Sequence, residues 1–265
     1  MQARRRPAES ELVVTDSPVA CGADVGGWQL RERLGRGGSA CVWRAVDGEG
    51  RVAALKIPNT HAADSLRYEH SLLAALRHAN IVATFGVVSF RAHTALVLEY
   101  LPGGDLVALA GAPPQHWLLP LRGVYAALRE LHAHGYAHCD VKARNVLFAV
   151  DDSPRLIDFA AARPLDAPLR RGIATAACTP AGASTPSQSA DCFAFAALVY
   201  ELATGRLPYG PTGARWQGEV PGAIQLAAQS PLLGLAADVL RASGRVHEGL
   251  SVFADDIESA FKACC

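Results

Sequence analysis

The spacing of apolar residues changes about a hundred residues into this chain of 265 residues, and the change limits the folds open to it. Before it, short apolar runs such as those at 40–46 and 51–57 are joined by turn sequences such as "DGEG", which is the pattern of β-hairpins. One segment, 62–78, instead has leucines at helical spacing. After it, 116–135 and 191–205 have the pattern of long helices, and the second is apolar on nearly every side, as a buried helix is. The sequence therefore predicts an α+β fold with a small β-rich part followed by a larger helical part.

The same pattern suggests the domain boundaries. Residues 1–26 are polar, contain Pro and Gly and show no sustained period, so we expect a disordered tail there. We expect a single domain over 27–262, with a smaller lobe at about 27–101 and a larger lobe at about 102–262. Half of the residues are hydrophobic, which is enough for a sizeable core.

Composition excludes several classes of protein. Lys and Arg number 25 and Asp and Glu number 25, so no excess charge points to nucleic acid or an anionic membrane as a partner. The 7 cysteines are odd in number and form no CxxC pair, and no signal peptide is apparent. We therefore expect an intracellular protein, cytoplasmic and/or nuclear. The longest apolar run, 192–200, is too short to span a bilayer, and the oligomeric state is left open.

A glycine-rich turn lies between two predicted strands, with glycines at 35, 37 and 38. Without Cβ atoms in the way, the backbone N–H groups of such a turn can approach phosphate oxygens closely. An ordinary tight turn accounts for the same glycines. A Rossmann dinucleotide-binding site does not account for these glycines, because a strand follows them where that site needs a helix.

Six charged or amide side chains stand next to apolar segments where a functional group would be placed. They are Lys56, Glu69, Asp140, Lys142, Asn145 and Asp158. Taken singly, each has an ordinary explanation, such as an exposed strand lysine, a solvated helical glutamate or an aspartate that begins a turn. Their order along the chain carries more information than any one of them.

In that order the segments resemble the motifs of the eukaryotic-type serine/threonine protein kinase family, over about residues 28–260. "LGRGGSACV" (34–42) resembles the glycine loop GxGxxGxV, and "AALK" (53–56) resembles VAIK. "LVLEYLPGGDL" resembles the hinge, "HCDVKARN" (138–145) resembles HRDLKPEN, and "DFA" (158–160) resembles DFG. The resemblance implies a bilobal fold, ATP and Mg²⁺ as cofactors, and proteins with Ser or Thr hydroxyls as substrates.

The resemblance also implies roles for individual residues. The catalytic residues would be Asp140, Lys142 and Thr179. The metal ligands would be Asn145 and Asp158. The ATP-binding residues would be Leu34, Gly35, Arg36, Gly37, Gly38, Ser39, Ala40, Val42, Ala54, Lys56, Glu69, Leu98, Glu99, Leu101 and Leu147. Asp191 would anchor the catalytic loop from below, and Lys142 with Thr179 favours Ser or Thr over Tyr as the acceptor.

Departures from the family pattern keep other functions open. Ala40 and Ala160 replace family glycines, and the glutamate of the family's APE motif is missing from 184–187. A pseudokinase that binds nucleotide or acts as a scaffold is therefore the alternative. A kinase of small molecules shares part of the layout, but Lys142 and the "TP" at 179–180 argue against it.

Cys139 stands where most family members have an arginine that binds a phosphate on the activation segment. A thiol cannot form that ion pair with a phosphate on Thr175 or Thr179, so we expect activity without activation-segment phosphorylation, unless Arg163, Arg170 or Arg171 takes over the task. Cys264 and Cys265 resemble dicysteine lipidation tails, but an ordinary exposed end is the favoured explanation.

Overall fold

A computed structural model of the chain describes residues 19–37, 40–59, 63–91, 93–165, 167, 187–210, 230–241 and 250–264. Several predicted residues lie outside these ranges. They are Gly38, Ser39, Arg170, Arg171, Thr175, Thr179, residues 184–186 and Cys265.

The first part of the described chain is an antiparallel sheet of six strands in the order β1-β2-β3-β4-β6-β5. The strands are β1 Asp24–Val25, β2 Trp28–Arg36, β3 Ala40–Asp47, β4 Val52–Pro58, β5 Thr84–Phe90 and β6 His93–Glu99. The β3–β4 hairpin closes as the sequence predicts, because the Asp47 carboxylate accepts hydrogen bonds from the backbone N–H groups of Glu49 and Arg51, both at 2.9 Å. Register along this hairpin runs without a shift from Val46 opposite Val52 to Ala40 opposite Pro58.

Ordered structure begins earlier than the expected end of the tail at residue 26. Val25 is fully buried, and the backbone bonds Gly22 N–H to Leu30 O (2.8 Å) and Leu30 N–H to Ala23 O (2.9 Å) fix this segment to β2. Gly26 and Gly27 both have positive φ and make the turn between β1 and β2. A two-residue strand has no period to detect, which is why the sequence pattern missed it.

Helix α1, Ala63–Ala75, packs on one face of the sheet. The alternation of β4 divides its side chains between two cores: Ala53, Leu55 and Ile57 join a small cluster on the far face, while Ala54 joins the main core. Lys56 is two residues after Ala54, so its side chain lies on the same face of the sheet, toward α1.

The second part is helical, as predicted, so the α+β class is confirmed. Its helices are α2 Pro114–Ala133, α3 Gln188–Thr204, α4 Pro231–Arg241 and α5 Ala254–Cys264. Two small antiparallel ribbons, β7 Tyr136–Ala137 with β10 Arg163–Pro164 and β8 Val146–Phe148 with β9 Pro154–Leu156, carry the loops between α2 and α3. None of the helices within the described ranges is long and apolar enough to cross a membrane.

Helix α3 is buried along most of its length, as its apolar sequence predicts. The Ser187 hydroxyl caps its start by accepting a hydrogen bond from Ala190 N–H at 3.1 Å. Gly205, with φ 71°, ends it. Its first turn carries Asp191, a carboxylate with no exposed surface, toward the loop that precedes β8.

Candidate active site

A cleft of about 500 Å³ lies between the sheet and the helical part. Sixteen of the predicted site residues line it: Leu34, Gly35, Arg36, Gly37, Ala40, Val42, Ala54, Lys56, Glu69, Leu98, Glu99, Leu101, Lys142, Asn145, Leu147 and Asp158. Asp140 is not part of this lining. Four further lining residues, Val82, Asp105, Arg144 and Ile157, were not predicted. A volume of this size suits a drug-sized or nucleotide-sized ligand.

Lys56 is the centre of an ion cluster on the sheet side of the cleft. Its ammonium lies 2.9 and 2.8 Å from the two carboxylate oxygens of Glu69 in α1 and 2.6 Å from Oδ1 of Asp158. Burial alone would lower the pKa of Lys56, but the two carboxylates more than offset it and raise that pKa. Lys56 therefore stays a cation, and the sheet, α1 and the segment after β9 are joined at one point.

Asp158 has a backbone conformation that few non-glycine residues adopt, with φ 63° and ψ 69°. Burial raises the pKa of its carboxyl group, yet the neighbouring Lys56 ammonium lowers it by more, so the group is an anion. The next residue, Phe159, is fully buried and donates its backbone N–H to Glu69 Oε1 at 3.2 Å. The strained turn is thus held from both sides by the same ion cluster.

Asp140, Lys142 and Asn145 form a second polar group, in the loop between β7 and β8. Asp140 Oδ2 accepts from Lys142 Nζ at 2.7 Å and from Asn145 Nδ2 at 2.9 Å. Asn145 Nδ2 also donates to the Asp140 carbonyl at 2.8 Å. The carboxylate orientation is therefore fixed by its own loop, and the predicted trio of residues is brought together.

Asp191 holds this loop from beneath. Its carboxylate accepts from the backbone N–H groups of His138 (2.7 Å) and Cys139 (2.9 Å) and contacts His132 Nε2 at 2.8 Å. Two consecutive N–H groups can point at one carboxylate because Cys139 has φ 65°. The family resemblance implied Asp191, but no motif pointed to His132, which lies 59 residues away in α2.

His138 links the two polar groups. Its ring lies edge-on to Phe159, with centroids 4.8 Å apart, and its Nε2 is 3.2 Å from the Ile157 carbonyl. Complete burial lowers the pKa of His138, so the ring is neutral and Nε2 carries the proton. Nδ1 then accepts the Asp140 backbone N–H at 3.3 Å.

The start of the glycine loop is tied to the end of β4 by two side chains that sequence patterns do not reveal. Asn59 Nδ2 donates to the Gly37 carbonyl at 3.1 Å, and the buried Cys41 thiol lies 3.4 Å from Asn59 Oδ1. Gly37 N–H also donates to Ala40 O at 2.8 Å. Gly37 is therefore held against the ends of β3 and β4.

At the predicted hinge, the Glu99 side chain is held by two residues that do not line the cleft. Its Oε2 accepts from Ala83 N–H at 3.2 Å and from Arg155 Nε at 3.3 Å. The backbone N–H of Leu101 lies beyond the last β4–β6 pair, Ala53 with Glu99, and donates to no group in the described ranges. The hinge thus presents backbone groups to the cleft, with Leu98 beside them.

The surroundings of Cys139 differ from what an arginine there would create. Burial raises the pKa of the Cys139 thiol to about 12, so it carries no charge at neutral pH. Arg163 is close enough for its charge to act on this thiol, and its guanidinium donates to the carbonyls of Ala160 (2.9 Å) and Ala162 (2.6 Å). The same guanidinium lies 5.5 Å from the centroid of the Tyr68 ring on α1.

Ala160 fits its position without backbone strain. It lies in the short 3₁₀ helix Phe159–Ala161, and it is not among the described residues with positive φ. The family glycine is therefore not needed for this conformation of the segment.

The side chains at the inner end of the cleft suit a divalent cation bound together with phosphate. Within the described ranges no group of three or more His, Cys, Asp or Glu side chains is placed to hold a metal ion by itself. Asp158 offers its carboxylate oxygens to a cation. Asn145 offers its amide oxygen, because both of its hydrogen bonds to Asp140 are made by the amide nitrogen. Mg²⁺ prefers a ligand set made of a few protein oxygens and the oxygens of substrate phosphates.

Comparison with known proteins gives one consistent result. The family model of the protein kinase domain matches residues 28–225. A probable serine/threonine-protein kinase of Dictyostelium discoideum is 28% identical over 216 residues, which is 76% of this chain and 44% of the relative. The serine/threonine-protein kinase PknL of Mycobacterium tuberculosis is 30% identical over 240 residues, 81% of this chain and 55% of the relative. A serine/threonine-protein kinase of Myxococcus xanthus is 28% identical over 228 residues, which is 78% of this chain and 33% of the relative. The chain thus spans from about a third to about half of the length of these relatives.

Proposed function

The chain belongs to the protein kinase family, and from that premise we propose that it transfers the γ-phosphoryl group of ATP, with Mg²⁺, to Ser or Thr hydroxyls of proteins. The observation that carries the proposal is the pair of polar groups across one cleft. Lys56, Glu69 and Asp158 are connected at 2.6 to 2.9 Å on one side. On the other side, Lys142 and Asn145 line the cleft and both donate to the Asp140 carboxylate behind them. Phosphoryl transfer requires this kind of positioning and charge neutralisation more than covalent catalysis.

The residues near the phosphates would have distinct tasks. Lys56, kept protonated by its carboxylate neighbours, binds the α- and β-phosphates. Asp140 accepts or orients the proton of the substrate hydroxyl, and Lys142 steadies the transferring phosphoryl group. Asn145 and Asp158 hold Mg²⁺, which neutralises charge on the phosphates when bound. The adenine ring lies between Ala54 and Leu147, against the backbone of Glu99 and Leu101.

The choice of Ser or Thr over Tyr rests on Lys142, which the structure describes, and on Thr179, which lies outside the described residues. Lys142 reaches 2.7 Å from Asp140 and so narrows the space beside the catalytic carboxylate. A short hydroxyl side chain suits that space better than a long phenol.

Transfer of radiolabel from [γ-³²P]ATP to generic protein substrates tests the proposal. Asp140→Asn and Lys56→Met should each abolish transfer, whereas Asp238→Asn, an exposed carboxylate of α4, serves as the matched control. Phosphoamino-acid analysis should show phosphoserine or phosphothreonine. Predominant phosphotyrosine would refute the acceptor assignment. Binding of ATP with no transfer by the unaltered chain would instead support the alternative of a nucleotide-binding scaffold.

We further propose that the kinase activity does not require phosphorylation of the activation segment. Two features support it: the neutral Cys139 thiol, and Arg163, which already has partners at the Ala160 and Ala162 carbonyls and the Tyr68 ring. Arg163 thereby connects the start of the segment to α1 without a phosphate. Phosphatase-treated protein should show its full initial rate on a peptide substrate, and a lag removed by autophosphorylation at Thr175 would overturn this part.

A further inference from the structure

Two consecutive side chains of helix α1 bind the segment that follows β9, and only one of them, Glu69, has a task in the proposed phosphoryl transfer. Glu69 Oε1 accepts the Phe159 backbone N–H at 3.2 Å. The hydroxyl of the preceding residue, Tyr68, donates to the Ala162 carbonyl at 3.1 Å. Phe159 begins the short 3₁₀ helix and Ala162 follows its last residue. The two bonds therefore hold both ends of this 3₁₀ helix against α1.

The Tyr68 side chain is itself held in place. It is half-buried, and burial raises the pKa of its hydroxyl, which therefore keeps its proton and can donate. The Arg163 guanidinium lies 5.5 Å from the centroid of the Tyr68 ring and donates to the same Ala162 carbonyl at 2.6 Å. The hydroxyl and the guanidinium thus meet at one oxygen, which fixes the direction of the tyrosine.

The bond at the other end of the 3₁₀ helix belongs to the ion cluster. Glu69 Oε1 is also 2.9 Å from the Lys56 ammonium, and Asp158, the residue before Phe159, is 2.6 Å from that ammonium. Movement of the 3₁₀ helix away from α1 would therefore break the Glu69–Phe159 bond and displace Asp158. A hydrogen bond that opposes this movement acts on the cluster from outside it.

We propose that Tyr68 is a positioning residue for phosphoryl transfer: its hydroxyl holds the 3₁₀ helix on α1 and so keeps Glu69 and Asp158 at Lys56. The inference rests on the proposed function, since that function assigns the phosphates to Lys56 and Mg²⁺ to Asp158. Tyr68 does not line the cleft, so it acts through these residues and not on the nucleotide.

Hydrogen exchange of single backbone amides, followed by NMR without ligand, tests the positioning directly. Tyr68→Phe removes the hydroxyl and keeps the ring beside Arg163. Loss of one neutral hydrogen bond should raise the exchange rate of the Phe159 amide about two- to tenfold, because that amide exchanges when the 3₁₀ helix leaves α1. The Leu156 amide, which donates to Asn80 O at 2.8 Å, is the internal reference and should keep its rate.

Tyr125→Phe is the matched control. The Tyr125 ring also lies beside an arginine, with the Arg129 guanidinium 5.9 Å from its centroid, but its hydroxyl has no hydrogen-bond partner in the part of the chain that the structure describes. Steady-state kinetics of Tyr68→Phe should show a lower kcat, by no more than about tenfold, and Tyr125→Phe should keep the rate of the unaltered chain. Calorimetry should give the same dissociation constant for adenosine in all three proteins, because adenosine has no phosphate for Lys56 to bind.

The inference fails if the Phe159 amide exchanges at the same rate in Tyr68→Phe and Tyr125→Phe. It also fails if the Leu156 amide accelerates by the same factor, since that result means a general loss of stability. Faster exchange of Phe159 with an unchanged kcat would refute a role in phosphoryl transfer. If the unaltered chain transferred no phosphate, the proposed function would fall, and the exchange rates alone would decide whether Tyr68 holds the segment.

Discussion

Replacing Asp191 with Asn should disable the catalytic loop while leaving the walls of the cleft intact. The substitution keeps the size of the side chain and changes only its ability to accept hydrogen bonds. The carboxylate accepts two backbone N–H groups and contacts His132 Nε2, at 2.7, 2.9 and 2.8 Å, with no exposed surface. An asparagine has a single acceptor oxygen, so one of the two backbone N–H groups must face the amide nitrogen.

The size of the effect follows from these contacts. A buried backbone N–H left without an acceptor costs about 1–3 kcal/mol, and hydrogen bonds to a charged group contribute about 1.5–3 kcal/mol, more than bonds to a neutral amide. We therefore expect the free energy of unfolding to fall by about 2–5 kcal/mol, against a total of about 5–15 kcal/mol for a typical domain. The His138–Cys139 backbone, held at φ 65° by the carboxylate, should relax and move Asp140.

Urea unfolding and steady-state kinetics would measure the two consequences. In Asp191→Asn the unfolding midpoint should drop and kcat should fall strongly, with a smaller change in KM for ATP because Lys56 is untouched. Asp238→Asn, at an exposed site, should change the unfolding free energy by no more than about 1 kcal/mol. An unchanged urea midpoint in Asp191→Asn, or a loss confined to KM for ATP, would refute the reasoning.

Three further perturbations have definite expected outcomes. Cys139→Gly should raise the melting temperature, because relief of φ 65° at a non-glycine residue is worth about 1 kcal/mol; a lower melting temperature would contradict this. Iodoacetamide at pH 8 should modify exposed Cys21 far faster than Cys139 by peptide mass spectrometry, since a pKa of about 12 leaves about one thiolate in ten thousand; equal rates would contradict it. Because Lys56 lowers the pKa of Asp158 despite burial, Asp158 stabilises the fold above the ordinary carboxyl pKa of about 3.9 and this contribution is lost as pH falls through the lowered value. Asp158→Asn should therefore flatten the acid limb of the stability curve, and an unchanged acid limb would contradict the assignment.

The sequence predicted those parts of the site that depend on local pattern. Strand alternation places Lys56 on the face toward α1, and the order of motifs placed Asn145 and Asp158 near it. The sequence did not predict contacts between residues that are far apart in the chain and belong to no motif. The Tyr68 hydroxyl donates to Ala162 O, 94 residues away, at 3.1 Å, and the Asn59 bond to Gly37 spans 22 residues. Such pairs depend on how the elements pack, which periodicity does not encode.

The conformation of Phe159 and Ala160 has a consequence for the design of small-molecule probes. The Phe159 ring has no exposed surface and lies edge-on to His138, and the alanine that follows samples fewer backbone conformations than a glycine would. A compound that must displace this ring exposes an apolar side chain at a cost of about 1.5–3 kcal/mol, equivalent to about a ten- to hundredfold weaker affinity. Compounds that fill only the cleft of about 500 Å³ beside Leu98 avoid that cost. Screening collections for this chain should therefore favour compact, hinge-directed scaffolds over extended ones.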